Sequence, residues 1–223
     1  MHIYLLSSLI LGVIGCDTEA PEGEVADVPT TEAPATPPPP VNVDVPLPEL
    51  PEGNTIAVSV ELSKIHFTGA KFTGSHDGGF ERFDGAVVLS DDEVVATKFE
   101  IDMSSTTADN AKLAKHLMGK DFFKIEKYPK ATFVSSEVAA ASDPGAVTHT
   151  VKGVFDFHGK KRPLSFPATV AVGETAITVS ATFDINRQNW DLAYPGKADD
   201  LIKDDVQIRL DLNFPTPSAP NAE

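Results

Sequence analysis

The chain has 223 residues, with 33 acidic against 18 basic side chains and a formal net charge of −15. This charge leaves no basic footprint for nucleic acid, and the length is sufficient for one domain with a sizeable core. The acidic excess is uneven, because residues 17–53 hold 9 of the 33 acidic residues, 10 of the 18 prolines and no Lys or Arg.

The N-terminal segment has the features of an export signal. Residues 3–15, IYLLSSLILGVIG, are an apolar run that is too short to span a bilayer but typical of a signal-peptide core. The run ends in VIGC, which resembles the lipobox of bacterial lipoproteins, where the signal is removed before a cysteine that becomes lipidated. We therefore predict a lipoprotein signal peptide over 1–15, lipidation of Cys16, and attachment through it to a membrane of the bacterial cell envelope, facing the periplasm or the cell exterior.

The next segment, residues 16–53, is rich in proline and acidic residues and poor in aliphatic ones. Such a composition cannot bury enough apolar surface to offset chain entropy, so we predict a disordered, partly polyproline-II tether. Residues 54–215 are predicted to form the folded domain, and residues 216–223 a disordered tail.

Apolar and polar residues alternate from residue 54 onward, which predicts strands with one apolar face. The clearest run is VQIRLDLNF, in which the residues on the apolar face are Val206, Ile208, Leu210, Leu212 and Phe214. Short links containing turn residues favour antiparallel neighbours. The prediction is an all-β, eight-stranded antiparallel barrel or sandwich, with strands near 55–68, 79–90, 94–104, 131–139, 147–158, 163–172, 175–186 and 204–214.

One segment departs from this alternation. In TTADNAKLAKHLMG, Leu113 and Leu117 are spaced i and i+4, which predicts a short amphipathic helix over about 107–118. Thr107 or Asp109 can cap its start, and Gly119 fits its end. A single helix of this kind is expected to plug one end of a barrel or to pack outside it.

The stretch GSHDGG brings Ser75, His76 and Asp77 together. Adjacent residues point in different directions and rarely form a nucleophile–base relay, so we interpret the stretch as a loop and predict no catalytic residues and no enzymatic activity. The histidine spacing matches no metal motif. Surface or capping histidines are the favoured interpretation, although a site assembled from His76, Asp77 and His116 stays open as an alternative.

All 13 phenylalanines lie between residues 67 and 214. Each can be an ordinary core residue, but an eight-stranded barrel can also leave room for one elongated apolar ligand. We predict that such a pocket is lined by Phe83, Phe99, Leu113, Leu117, Phe122, Phe133, Phe155 and Phe183.

Six stretches in order resemble the YceI-like family of exported bacterial proteins. They are SKIHFTGAKFTGSHDGGFERFDGAVVL (63–89), IDMSSTTADNAKLAKHLMGKDFF (101–123), YPKATFVSS (128–136), GVFDFHGKKRPLSFPA (153–168), INRQNWDLAYPG (185–196) and DDLIKDDVQIRL (199–210). The resemblance implies a lipocalin-like barrel that binds polyisoprenoids or other long-chain lipids and has no known reaction. It implies no cofactor other than a bound polyprenyl or quinone-like lipid.

The sequence thus predicts a lipid-anchored barrel that binds, stores or carries a long apolar molecule. Asn186 and Arg187 are candidates for polar groups at its mouth, although Arg187 is equally suited to bracing the barrel end through an ion pair. The alternative is a surface interaction module, in which side chains fill the barrel and the loops contact a protein partner.

Overall fold

The computed structural model describes residues 45–142 and 145–216. The predicted signal peptide, the lipidation site Cys16, most of the tether and nearly all of the predicted tail lie outside these residues. Residues 45–53, the described end of the predicted tether, contain no helix or strand.

Within the described residues the fold is all-β and antiparallel, as predicted, with a single α-helix. The strands number twelve rather than eight: β1 (Asn54–Ala57), β2 (Lys64–Lys71), β3 (Gly74–Phe80), β4 (Phe83–Ser90), β5 (Glu93–Asp102), β6 (Thr106–Ala108), β7 (Lys130–Ala140), β8 (His149–Phe157), β9 (Lys160–Val172), β10 (Ala176–Asn186), β11 (Gly196–Lys197) and β12 (Asp200–Pro215).

The count differs because two predicted strands contain breaks and because the short strands β6 and β11 were not predicted. The predicted strand 55–68 covers β1 and part of β2, which are separated where Ser63 N–H turns back to the carbonyl of Val60. The predicted strand 79–90 covers the end of β3 and all of β4, which are separated by Glu81 and Arg82. Alternation alone does not reveal these breaks, because the apolar face continues on both sides of each one.

The strands form one curled sheet in the order β1-β4-β5-β7-β8-β9-β10-β12-β2-β3-β6, with β11 added on β12. The segment after β1 connects distant parts of this order. Val58 N–H bonds to the carbonyl of Gly85 on β4 at 2.9 Å, and Ser59 N–H bonds to that of Asn213 on β12 at 2.8 Å. The sheet therefore curls back on itself and encloses an interior, as a lipocalin-like barrel does.

The helix, α1, spans Ala111–Met118 and begins later than predicted. Its N-cap is Asn110, whose side chain accepts from Leu113 N–H at 2.8 Å. Thr107 does not cap it, because residues 106–108 pair with β3 as strand β6. The helix ends at Gly119, as predicted, but with φ −71, so the left-handed conformation usual for a terminal glycine is not used.

The long antiparallel pair β10–β12 confirms the predicted alternation of β12. Its inward residues Ile208, Leu210 and Phe214 pair with inward residues of β10. Phe214 and its partner Ile177 are fully buried. The Phe214 ring also lies 6.1 Å from that of Phe99 on β5. This contact joins the inner faces of β5 and β12, which are not adjacent in the strand order.

Candidate ligand-binding cavity

A cavity of about 400 Å³ lies inside the curled sheet. This volume is within the range of small-molecule binding sites. Its wall is almost entirely apolar and receives residues from most strands and from α1. Seven of the eight predicted pocket residues line it, namely Phe99, Leu113, Leu117, Phe122, Phe133, Phe155 and Phe183.

The eighth predicted residue, Phe83, lies in the core and does not line the cavity. It is only 8% exposed and pairs with Ile101 on β5, and it is Ile101 that reaches the cavity wall. Alternation correctly predicts that Phe83 points inward. Alternation does not show where along the length of the barrel an inward residue lies. That position decides whether the residue lines the cavity or packs in the core beyond it.

Several aromatic wall residues were not predicted to line the pocket. They are Phe67, Phe80, Phe123, Phe157, Phe166, Tyr194 and Phe214. Phe166 on β9 stacks on Phe183 of β10, with centroids 4.3 Å apart and ring planes 11° apart. The sequence contains a signal for two such positions, since Leu164 and Phe166 alternate with polar or turn-forming residues in the same way as the predicted pocket residues do.

The cavity wall contains a few polar residues that are partly or largely exposed to water. We call the end of the cavity where they lie its mouth, and they are Lys71, His76, Asp77, His116 and Asp200. Lys71 at the end of β2 and Asp200 at the start of β12 form an ion pair at 2.5 Å. Thr73 adds hydrogen bonds to Asp200 from its backbone N–H at 3.2 Å and from Oγ1 at 2.8 Å. The hydrogen bond from Lys71, with those from Thr73, lowers the pKa of the Asp200 carboxyl. Asp200 is thus a fixed anion that holds the β2–β3 turn against β12.

Helix α1 lies across this mouth and turns Leu113 and Leu117 toward the cavity. On the side of β3, His76 Nδ1 lies 2.8 Å from Oδ2 of Asp109, just before the helix. On the other side, the ring of His116 contacts Tyr194 edge-on, with centroids 5.5 Å apart. The helix therefore covers part of the opening, at the barrel end where a plug was one of the two predicted positions, and is held by contacts near its two ends.

The Ser75-His76-Asp77 stretch is part of strand β3 and not the loop that composition suggested. It is a strand because each residue pairs with β2, for example Ser75 with Ala70 and Asp77 with Thr68. Asp77 accepts a hydrogen bond from Thr68 Oγ1 at 2.6 Å, whereas His76 bonds to Asp109. The neighbours thus face different partners and do not form a relay.

Histidines and carboxylates do not converge on a metal site in the described part of the chain. No group of three or more His, Cys, Asp or Glu side chains there has the geometry to hold a metal ion. His76 faces Asp109, and His116 lies 3.8 Å from Asp121. The alternative assembly of His76, Asp77 and His116 is therefore not formed.

Asn186 and Arg187, the predicted polar mouth residues, hold the backbone together. Asn186 Oδ1 accepts from Gln188 N–H at 3.0 Å and starts a 3-10 turn over Arg187–Trp190. Arg187 is buried and pairs with Asp204 at 2.9 Å. Its guanidinium also donates to four backbone carbonyls, those of Leu192, Tyr194, Ile202 and Lys203. Arg187 lines the cavity, yet these bonds occupy its donors, so the geometry matches the bracing interpretation.

No helix in residues 45–142 or 145–216 is long and apolar enough to cross a bilayer.

A curled antiparallel sheet around an apolar cavity, covered at one end by a helix, defines a lipocalin-like fold. The chain belongs to the YceI-like family, since the model of the YceI-like domain matches residues 57–214. A UPF0312 protein of Pseudomonas putida (strain GB-1) is 28% identical over 153 residues, which are 65% of this chain and 77% of the relative. A UPF0312 protein of Yersinia pestis (strain Pestoides F) is 32% identical over 90 residues, which are 40% of this chain and 45% of the relative.

Solved structures share the fold. BcnA of Burkholderia cenocepacia is 25% identical, with a TM-score of 0.63 over 70% of this chain and 98% of that protein. A polyisoprenoid binding domain from Saccharophagus degradans is 16% identical, with a TM-score of 0.58 over 72% of this chain and 98% of that domain. The YceI protein of Campylobacter jejuni is 20% identical, with a TM-score of 0.53 over 63% of this chain and 85% of that protein.

Proposed function

We propose that this protein binds, stores or carries a long-chain apolar molecule, such as a polyisoprenoid or the tail of a quinone, in the cavity of the curled sheet. The observation that carries the proposal is the cavity of about 400 Å³ with its wall of phenylalanine and aliphatic side chains. A polyisoprenoid binding domain among the structural neighbours supports the same class of ligand. The proposed activity is binding, without a chemical step.

The driving force is the removal of apolar surface from water. Each Å² of apolar surface that a chain buries contributes about 25 cal/mol, so an isoprenoid chain gains several kcal/mol from a dry wall of this kind. Eleven phenylalanines and Tyr194 line that wall beside a larger number of aliphatic residues, and these aromatic side chains supply large contact areas. The alternative of a protein-interaction module with a filled barrel predicts side chains in this space, and the open cavity favours the ligand.

Gly69 offers a direct test of the cavity. It lines the cavity on β2, and a Cβ added there would meet no atom within 4 Å. Gly69→Leu should therefore place its side chain in the lumen, with a Cβ that meets no neighbouring atom. We expect solvent extraction and mass spectrometry to find a long-chain lipid in the purified wild-type protein and much less in this variant. Gly145→Leu, at an exposed loop position that is equally open, is the matched control.

The thermal midpoint of each variant shows whether lost lipid reflects a blocked cavity or an unfolded protein. The proposal is wrong if the wild-type protein carries no lipid and, once delipidated, takes up neither a polyprenol nor a prenylquinone.

We also propose that Cys16 carries a lipid anchor that keeps the protein at the bacterial cell envelope. The support is the apolar run that ends in VIGC and the proline-rich segment that follows it. Cys16→Ser should move the protein from the membrane fraction of a bacterial host to the soluble fraction. A serine variant that stays in the membrane fraction would contradict anchoring through Cys16.

A further inference from the structure

Two apolar side chains are exposed beside the mouth of the cavity. Phe72, in the turn between β2 and β3, is 78% exposed, and Leu201, at the start of β12, is 44% exposed. Leaving most of an aromatic ring in water is unfavourable compared with burying it. We call Phe72 and Leu201 the apolar rim.

The apolar rim is held in place by the hydrogen bonds of its neighbours. Lys71 and Thr73, which flank Phe72, both bond to Asp200, which directly precedes Leu201. Lys71 also pairs in register with Ile202. The two rim residues therefore project from one rigid unit, in which Lys71 and Asp200 line the cavity.

Phe72 and Leu201 do not line the cavity, but each directly follows a wall residue of the mouth, Lys71 and Asp200 respectively. A long apolar chain that left the cavity through water would expose its whole surface, at about 25 cal/mol per Å². The same chain could pass directly into a lipid phase if the mouth were pressed against one. If the apolar rim inserts into a bilayer, Phe72 is no longer exposed to water. The ligand also no longer has to pass through water between the cavity and the lipid phase.

The charge around the mouth indicates which bilayer surface fits. Asp77, Asp109 and Asp200 lie at this end of the cavity, where Lys71 pairs with Asp200 and helix α1 carries the exposed Lys112 and Lys115. Charges of both signs are therefore present at the mouth, so a surface of one strong sign meets repulsion from part of it within about 10 Å. A zwitterionic surface, such as that of phosphatidylcholine, fits this balance.

We propose that the apolar rim docks the mouth of the cavity onto a zwitterionic lipid surface, and that the ligand enters and leaves the protein through this contact. The passage of a ligand rests on the proposed function, whereas docking of the rim does not. Two measurements separate them.

The first measurement reports docking by the full chain on phosphatidylcholine vesicles that contain brominated acyl chains. Phe72→Trp places a fluorophore in the rim, and Leu62→Trp is its matched control. Leu62 is 66% exposed but lies next to Ser63, which bonds to Asn213, roughly 40 Å along β12 from Leu201 at about 3.3 Å per residue. Both variants share the buried Trp190 as background and the same N-terminal segment.

We expect the vesicles to quench the tryptophan at residue 72 several-fold more than the one at residue 62. Equal quenching, or none, would overturn the docking proposal. A blue shift at residue 72 that grows with protein concentration in the absence of vesicles would also overturn it, because a second copy of the chain would then cover the rim.

The second measurement follows transfer of a prenylquinone from phosphatidylcholine vesicles to delipidated protein, with Phe72→Ser compared with Leu62→Ser. The initial rate should fall on the order of tenfold for Phe72→Ser, while the final quinone content stays unchanged. A tenfold change corresponds to about 1.4 kcal/mol, which is close to the free energy gained by burying one aromatic side chain. Equal rates in the two variants would overturn transfer through the rim. A third outcome separates the two proposals. If neither the wild type nor the variants take up quinone, while the vesicles still quench the tryptophan at residue 72, the proposed function fails and docking of the rim stands.

Discussion

Phe67 on β2 lies directly opposite Gly78 on β3, and its ring fills the space that a side chain at residue 78 would need. A Cβ at that position would lie 2.2 Å from Cζ of Phe67. The same relationship recurs where Phe99 lies opposite Gly85, with a corresponding distance of 2.4 Å to Cδ1. Glycines in the sheet thus let aromatic rings pack against the wall, which leaves the interior open.

This packing predicts that Gly78→Ala destabilises the protein by about 1–3 kcal/mol, because the methyl group must displace the Phe67 ring or the strand. Urea denaturation measures the free energy of unfolding. Gly69→Ala is the control, since a Cβ there meets no atom within 4 Å. Adding Phe67→Leu should recover part of the loss in the Gly78→Ala background. A loss of the same size for both alanine variants would contradict the account.

The same pair shows what the sequence could and could not predict. The alternation of β12 and the i, i+4 spacing of Leu113 and Leu117 follow from local periodicity, and both predictions hold. The glycine-rich β3 has the local composition of a loop, because glycine weakens a strand locally. Its strand character comes from pairing with β2 and from Phe67, and both are contacts with another segment. The local composition of β3 does not reveal these contacts.

Arg187 shows a second limit of the same kind. The sequence is compatible with two roles for Arg187, a polar group at the mouth or a brace through an ion pair, and it cannot choose between them, whereas in the structure four carbonyls and Asp204 surround the guanidinium. Those acceptors come from residues 192–204, and only the folded chain gathers them. Phe83 shows that an inward residue lines the cavity only at some positions along the barrel. Sequence alone therefore predicts the inner face of the strands better than the lining of the cavity.

We predict that Arg187→Lys lowers the free energy of unfolding by about 2–4 kcal/mol, because a point-like ammonium cannot satisfy acceptors that a planar fork reaches. Chemical denaturation measures the loss. Arg209→Lys is the control at an exposed position of β12 and should change stability by less than about 0.5 kcal/mol. If Arg187→Lys reduced lipid content with stability unchanged, Arg187 would instead be the polar mouth residue that the sequence suggested.

His158 is predicted to make the protein less stable in mild acid. Burial lowers the pKa of His158, with further effects from the Trp190 carbonyl, Lys124, Asp191 and Lys127. Nδ1 lies 2.8 Å from the Trp190 carbonyl oxygen and donates to it, while the buried Nε2 has no partner. The unfolded chain therefore binds a proton near pH 6.5, at a pH where the folded protein does not. Stability is full above about pH 6.5 and falls as the pH drops toward the lower, folded pKa.

His158→Asn tests this assignment. Residue 158 has φ 51, a left-handed conformation that asparagine tolerates, and the amide keeps a donor for Trp190. We expect the loss of stability between about pH 7.5 and pH 5.5 to be smaller in this variant than in the wild type. His149→Asn, at a partly exposed position, is the matched control for replacing a histidine with asparagine. An unchanged slope in His158→Asn would assign the acid sensitivity to other groups.

The last prediction uses two phenylalanines that are equally buried but differ in their relation to the cavity. Phe133 and Phe83 are each 8% exposed, and Phe133 lines the lumen whereas Phe83 does not. Replacing either by leucine should cost about 1–3 kcal/mol of stability through lost packing. Only Phe133→Leu should also widen the lumen, beside the ring of Phe166, whose centroid lies 5.5 Å away. Mass spectrometry of co-purified lipid should then show an altered amount or chain length for Phe133→Leu and the wild-type pattern for Phe83→Leu. Equal lipid changes in the two variants would indicate that lipid content follows stability rather than the shape of the cavity.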